Sequence, residues 1–262
     1  MFVNNRIRES LNPSAAGEAA NPAQHRDAVS SGAERSAAAK DAGKRVAKRG
    51  LDIACVCLAL PLWGGVMIIV SLWIKLVSRG PIFYRQERVG YRTKPFMLYK
   101  FRSMKKNAGT VIHENYLAEL IRQDRPMQKL DGFGDDRLIL GAGFLRAAGL
   151  DELPQLINIL RGEMSLVGPR PCTPHEFSHY EPWQRRRVGA LPGLTGYWQV
   201  NGKNKTTFNE MIALDLFYID NFSIALDLHI LARTVSTVFN QVIESNGRRG
   251  CNQVGGQQKE TK

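Results

Sequence analysis

Cysteine is scarce: the 262 residues hold four, at 55, 57, 172 and 251. No two have the spacing of zinc ligands, and four scattered thiols make no disulfide framework, so a reducing, cytosol-facing body is expected. Large aliphatic side chains are nearly missing from the amino-terminal region, where Val29 is the only one between Asn12 and Lys44. Ala, Ser, Gly, Pro and mixed charge cannot bury enough apolar surface to offset the entropy of ordering, so residues 1–43 are read as a disordered tail. The same poverty leaves no apolar core for a secretory signal at Met1. Residues 246–262 are equally poor and are read as a flexible tail, which leaves roughly 44–245 to fold. Acidic residues are short in one place only. From Lys44 to Lys106 there are fourteen Lys and Arg against Asp52 and Glu87, a surplus equal to the whole net charge of +12. No helix-turn-helix, zinc-finger or RNP-like pattern accompanies that charge, so no nucleic-acid partner is expected.

What the basic residues flank is an uncharged run of twenty-two, Ile53 to Ile74, about the length of a bilayer crossing. Lys44, Arg45, Lys48 and Arg49 precede it; Lys75, Arg79, Arg85, Arg88, Arg92 and Lys94 follow. Positive flanks stay on the cytoplasmic side and attract anionic lipid head groups, and here both flanks are positive. Pro61, with Gly64 and Gly65 one turn on, permits a sharp bend near the middle. The reading is a re-entrant helix pair over 44–79 that enters and leaves on the cytoplasmic face; a kinked helix that crosses is the alternative. Residues 80–245 then form the cytosolic catalytic domain. The fold class is α/β, mostly helical with a small β-hairpin, anchored by that helix pair.

The hairpin is read from two β-rich segments, Pro81–Gln86 and Phe96–Arg102, joined by a turn over Val89–Lys94. Helices are expected over 113–123, 206–220 and 224–244, the last with Leu228, Leu231, Val235, Val238 and Val242 on one stripe. Asp135-Asp136 lies in a polar loop and reads as solvated.

Leu150, Leu153, Leu156, Ile157 and Leu160 recur at helical spacing, with Pro154 in a first turn, so a short helix is predicted from about Asp151. Asp151 and Glu152 would then sit at the positive end of its dipole, where carboxylates stay ionised and phosphate is welcome. Nineteen residues on, Arg170 stands between Pro169 and Pro171, its fork of donors suited to phosphate oxygens. Singly, such residues are an ordinary N-cap and an ordinary solvated turn arginine. Further along, Trp198 could stack on a base or simply pack, and Gln199 and Asn201 offer amides.

Tyr-Lys-Phe-Arg-Ser-Met (99–104), Leu-Asp-Glu-Leu-Pro-Gln (150–155), Gly-Glu-Met-Ser-Leu-Val-Gly-Pro-Arg-Pro (162–171) and Leu-Pro-Gly-Leu-Thr-Gly-Tyr-Trp-Gln-Val-Asn-Gly (191–202) stand in this order. Together they resemble the bacterial sugar transferases, monotopic polyprenyl-phosphate phosphoglycosyl transferases, over residues 44 to about 240. The resemblance implies transfer of a hexose 1-phosphate from a UDP-sugar to polyprenyl (undecaprenyl) phosphate with release of UMP, the step that initiates exopolysaccharide or glycoconjugate synthesis. It implies magnesium held by Asp151 and Glu152, with Asp151 forming a covalent phosphosugar intermediate. The family's cations fall on Lys100, Arg146 and Arg170. Arg102 of the first motif joins them as a phosphate-binding candidate, with Gln199 and Asn201. The expected place is the bacterial inner membrane, catalytic domain toward the cytoplasm; a homo-oligomer is left open. Where many relatives have Ser before the membrane proline this chain has Leu60, and where many have Ser-Leu-Asp-Glu it has Gly149-Leu150-Asp151-Glu152. The competing readings are a catalytically silent membrane scaffold and a glycosyltransferase releasing UDP.

Overall fold

The computed structural model describes residues 27–105, 119, 121, 137–202 and 206–238, with side chains from residue 42 onward. Most of the expected 113–123 helix, the Asp135-Asp136 pair and both distal tails lie outside the described residues. The chain forms two units, 1–48 and 49–262. Helix α1, Asp27–Leu58, begins well inside the stretch expected to lack order. The difference has a plain cause: alanine-rich sequence favours helix by intrinsic propensity, without any apolar surface to bury.

Helix α2, Leu60–Val77, follows after one residue. Ala59, at φ −82° and ψ −3°, makes the break, with Pro61 in the first turn of α2. Ala59 N donates to Cys55 O, and Ala59 O accepts from Leu62 N and Trp63 N. Gly64 and Gly65, expected to help bend the chain, lie inside α2 instead. Both arms rest on the same body. On the first, Arg49 donates to the carbonyls of Ile159 and Leu160, Asp52 accepts from Leu166 N at 3.1 Å, and Val56 packs among Phe96, Leu98, Leu156, Ile159 and Met164. On the second, Trp63, Val66, Met67, Val70, Ile74 and Val77 form one helical stripe turned to the body. The opposite face, with Leu62, Ile69, Leu72 and Leu76, is exposed.

Strands β1 (Phe83–Val89) and β2 (Pro95–Phe101) form the expected antiparallel hairpin, with Tyr84 opposite Lys100. Helix α3 (Ala142–Ala147), a 3₁₀ turn (Leu150–Glu152) and helix α4 (Gln155–Arg161) come next. The single helix predicted from Asp151 is therefore two elements. Gly149, at φ 68°, opens the tight turn, and the α-helix proper starts only after Pro154.

Strand β3 (Ser165–Val167) pairs in parallel with β4 (Gly193–Thr195), and short helices α5 (Pro174–Ser178), α6 (Pro182–Arg185) and α7 (Tyr197–Asn201) surround them. Two motifs cross here through their glycines. A Cβ on Gly168 would lie 2.3 Å from Leu191 O, one on Gly193 2.1 Å from Gly168 N, and one on Gly196 2.3 Å from Gly168 O. Only bare backbone permits the approach that lets Gly168 N donate to Thr195 O and Gly193 N to Pro169 O.

Helix α8 (Phe208–Asp220) starts on a capping box between Thr207 and Glu210 and buries Phe208, Met211 and Ile212 against Trp198, Tyr180 and Cys172. The last described helix, α9, runs over 224–238. Its packed face is not the expected stripe. Asp227 and Ile230 are buried and Leu231 and Thr234 half-buried, while Leu228 and Val235 are exposed. The buried Asp227, bonded to the Tyr218 hydroxyl at 2.7 Å, turns the helix by about one position.

The glycine crossing yields a direct expectation. Gly193→Ala is expected to cost about 3 kcal/mol or more through overpacking against backbone, read as a lower thermal midpoint of the detergent-solubilised protein. An unchanged midpoint would show that the crossing is not tight.

Candidate active site

Three elements converge on one cleft. The hairpin brings Lys100 and Arg88, the turn before α4 brings Glu152, and the β3–β4 crossing brings Arg170 and Gln199. Asn158 fixes the first two relative to each other. Fully buried on α4, its side chain accepts from Tyr99 N at 3.1 Å and donates to Met97 O at 2.8 Å, so the strand carrying Lys100 is tied to the helix behind Glu152. No motif reading singled out Asn158, although an asparagine on the apolar side of a helix is a signal of such a tie.

Lys100 Nζ donates to Glu152 Oε1 at 2.7 Å on the cleft wall. Asp151, the residue before Glu152, is buried at 8% exposure and is not among the residues that line the cleft. Burial and, next, the Glu152 charge push the Asp151 carboxyl up to about 6, against the pull of Lys100 and Arg146. The expected helix dipole does not dominate, because a 3₁₀ turn is what carries Asp151. Near neutral pH the carboxylate is still mostly ionised, and it is a stronger base than an ordinary aspartate.

Arg170 faces the cleft while its Nη1 bonds to Glu176 Oε1 and Oε2 at 3.0 and 3.3 Å. Behind it lies a buried network: Tyr180 donates to Glu176, and Arg187 to Tyr180, to Asp215 and to the Arg170 carbonyl. Arg88 adds a further cation, held to Pro171 O at 2.8 Å; burial and the Arg170 charge lower its pKa to about 10. Three arginines face two carboxylates there, so this wall of the cleft keeps a positive excess.

Arg146, on α3, is not among the cleft-lining residues although its charge reaches Asp151, and two further expected residues stand elsewhere. Arg102 lies outside the cleft, its guanidinium donating to Ser78 O and Arg79 O at 2.8 Å each, where a side chain on Gly80 would collide with it. It holds the end of α2, and the motif's other cation, Lys100, is the one at the cleft. Asn201 donates to Tyr197 O and accepts from Arg233 on the outer side of α7. Trp198 is buried, its Nε1 donating to Thr206 Oγ1 at 2.7 Å, and it packs on Phe208 and Met211 as a core residue with one edge on the cleft.

A buried basic carboxylate, a second carboxylate paired with lysine, and a cationic wall opposite make a cleft suited to group transfer between phosphate esters. Residues 43–241 match the family described as bacterial sugar transferase, and the chain belongs to that family. It is 35% identical over 195 residues to the exopolysaccharide production protein ExoY of Sinorhizobium fredii, covering 74% of this chain and 85% of that one. Over 199 residues it is 39% identical to the UDP-glucose:undecaprenyl-phosphate glucose-1-phosphate transferase of Caulobacter vibrioides, covering 73% and 69%. The undecaprenyl-phosphate galactose phosphotransferase of Salmonella typhimurium is 36% identical over 198 residues, which cover 75% of this chain and 41% of that longer one.

The Asp151 environment gives a signed expectation. Its folded pKa lies above the ordinary 3.8, so the stability it contributes is complete below that value and is lost as pH rises through about 6. Asp151→Asn is therefore expected to stabilise the fold at pH 8 by about 1–3 kcal/mol, with the gain shrinking toward pH 4. Thermal unfolding across that range measures it. A variant no more stable than the parent at pH 8 would contradict the account.

Proposed function

We propose that this chain transfers a hexose 1-phosphate from a UDP-sugar to undecaprenyl phosphate with release of UMP, initiating an exopolysaccharide or glycoconjugate. The observation that carries the reading is a cleft lined by Glu152, Lys100 and Arg170, with the buried Asp151 next to Glu152 in the chain. The names of the Caulobacter and Salmonella relatives support the substrate class.

Asp151 is the nucleophile of this scheme. A carboxylate oxygen attacks the phosphorus that bears the sugar; the bond from that phosphorus to the bridging oxygen breaks, and UMP leaves with the electron pair. An oxygen of the lipid phosphate then attacks the same phosphorus and returns Asp151 as carboxylate. Lys100, Arg146 and Arg170 offset the repulsion between anions that opposes both steps. Asp151 and Glu152 would hold magnesium, which supplies further charge neutralisation. Two adjacent carboxylates fit an ion that takes its other oxygens from phosphate and water; burial first and the Glu152 charge second raise Asp151, and a dication would offset both.

The membrane arms fit the re-entrant reading. The α2 stripe packed on the body runs from Trp63 to Val77, nearly the full helix, so a crossing would draw that charged body into the bilayer. With α2 and the part of α1 from Arg49 on held on one body and both flanks basic, the segment 44–79 enters the cytoplasmic leaflet from the inner face by its exposed apolar side, among anionic lipids.

Incubation with the correct UDP-hexose alone is expected to release UMP and leave a hexose-phosphate mass on the peptide containing Asp151. Asp151→Asn abolishes both. Release of UDP, or turnover by a ternary complex without adduct, would overturn the mechanism. For topology, single cysteines introduced near residues 40 and 85 are expected to label only from the cytoplasmic side. Labelling of either from the periplasm would defeat the re-entrant arrangement.

A further inference from the structure

Behind the turn that presents Arg170 stands a carboxylate that the proposed chemistry does not touch. Glu176, in the first turn of α5, has no exposed surface. Besides Arg170 Nη1, it accepts from the Tyr180 hydroxyl at 3.1 Å and from Thr173 N at 3.3 Å, the latter as half of a capping box. The other half runs from Glu176 N to Thr173 Oγ1 at 3.0 Å. Burial pushes this carboxyl up, but Arg170, Arg187 and Arg88 outweigh it and hold it below its usual range. It is thus a permanent buried anion, and its partner's side chain is 22% exposed toward the cleft.

Prolines on both sides fix the backbone around Arg170 and leave its side-chain torsions open, a freedom worth up to about 2 kcal/mol on ordering. A guanidinium recognises phosphate through a planar pair of donors, so one edge must be held for the other to keep a direction. The bonds at that inner edge come from Glu176.

We propose that Glu176 is a positioning residue for the phosphoryl transfer: it grips Arg170 Nη1 from inside the fold so that the remaining guanidinium edge meets the phosphate of the nucleotide-sugar in the cleft. This rests on the proposed reaction. A purely structural Glu176 would act through the capping box and the Tyr180 bond, and the two roles separate because a structural loss persists when Arg170 is removed whereas a positioning loss does not.

The test uses the full-length protein in detergent or nanodiscs, measuring UMP release against UDP-sugar concentration at saturating undecaprenyl phosphate. Glu176→Gln keeps the shape and removes the charge, and is expected to lower kcat/KM roughly tenfold or more. Tyr180→Phe, which loosens Glu176 and removes one of the acceptors of Arg187 without emptying the core, is expected to lower it about threefold. Thr173→Ala breaks the box from the other side, and is expected to lower the thermal midpoint while leaving kcat/KM within about twofold. In an Arg170→Ala background, Glu176→Gln and Tyr180→Phe should cost nothing further, because a positioning residue has nothing left to position. Equal losses from Thr173→Ala and Glu176→Gln, or losses that multiply with Arg170→Ala, would overturn the proposal. Should Glu176→Gln not fold, Tyr180→Phe in the two backgrounds decides by the same rule. A parent that releases no UMP with any UDP-hexose fails the reaction itself, whereas parental turnover in Glu176→Gln fails only the positioning.

Discussion

Four consecutive carbonyl oxygens, those of Pro169, Arg170, Pro171 and Cys172, each accept a hydrogen bond, and the donors come from three separate parts of the chain. The donors are Gly193 N at 2.8 Å, Arg187 Nη2 at 3.0 Å, Arg88 Nη1 at 2.8 Å and Val89 N at 2.9 Å. Two prolines in this turn have no N–H, so the segment cannot build a two-way ladder of its own, and its acceptors must be met from outside. Strand β4, the 186–189 turn and strand β1 are thereby drawn to one point. Displacing the turn breaks bonds to all three, and this holds Arg170 at a fixed place in the cleft wall. The glycine crossing at 168, 193 and 196 is the steric condition for that arrangement, because every bond from β4 to the turn needs backbones closer than a Cβ allows.

The arrangement stores charge in the interior. Arg187 and Asp215 are both about 1% exposed, and Glu176 is sealed between arginines. Buried pairs add little net stability over apolar residues of equal size, but removing one partner costs about 3–5 kcal/mol. What such a network supplies is direction: a guanidinium surrounded by satisfied partners does not reorganise when an anion arrives. The opposite wall follows the same logic with the sign reversed. Asp151 is kept partly desolvated beside a like charge, which weakens the fold at neutral pH and strengthens the carboxylate as a nucleophile. A stability penalty at the carboxylate proposed to react and an over-determined cation on the neighbouring cleft are two halves of the preorganisation the proposed reaction needs.

Much of this was legible in the sequence wherever residue type and required chemistry coincide. Lys100, Glu152 and Arg170 meet at the cleft as their motifs imply, and the hairpin and the apolar run stand where alternation and hydropathy place them. Arg102 was not legible, since an arginine two residues from Lys100 in the same motif satisfies helix-end carbonyls with the same donors that would satisfy phosphate. Asn201 reads wrongly for a similar reason, its amide serving Tyr197 and Arg233. The dipole assigned to Asp151 depended on the helix starting at once, and no periodicity separates a 3₁₀ turn followed by proline from a first α-turn. Glu176 was invisible because a Thr-x-x-Glu pattern is fully accounted for by helix capping. The stripe on α9 failed through one buried acid, Asp227, which periodicity in apolar residues cannot register.

The same economy of contacts links the apolar arms to the site. Asp52, on the first arm, accepts from Leu166 N, four residues before Arg170 on the strand that enters the glycine crossing. Arg102, which clasps the end of the second arm, lies two residues beyond Lys100. Each arm is thus bonded to the chain within a few residues of Lys100 or Arg170, two of the three cations that line the cleft. In the proposed reaction the acceptor phosphate sits at a depth set by the bilayer, and the donor at a depth set by Lys100 and Arg170. Fixing both cations to the arms sets those depths against each other. A shift of the arms would then misplace two charges at once, and misplacement by an ångström at a phosphoryl-transfer site is enough to lower the rate about a hundredfold.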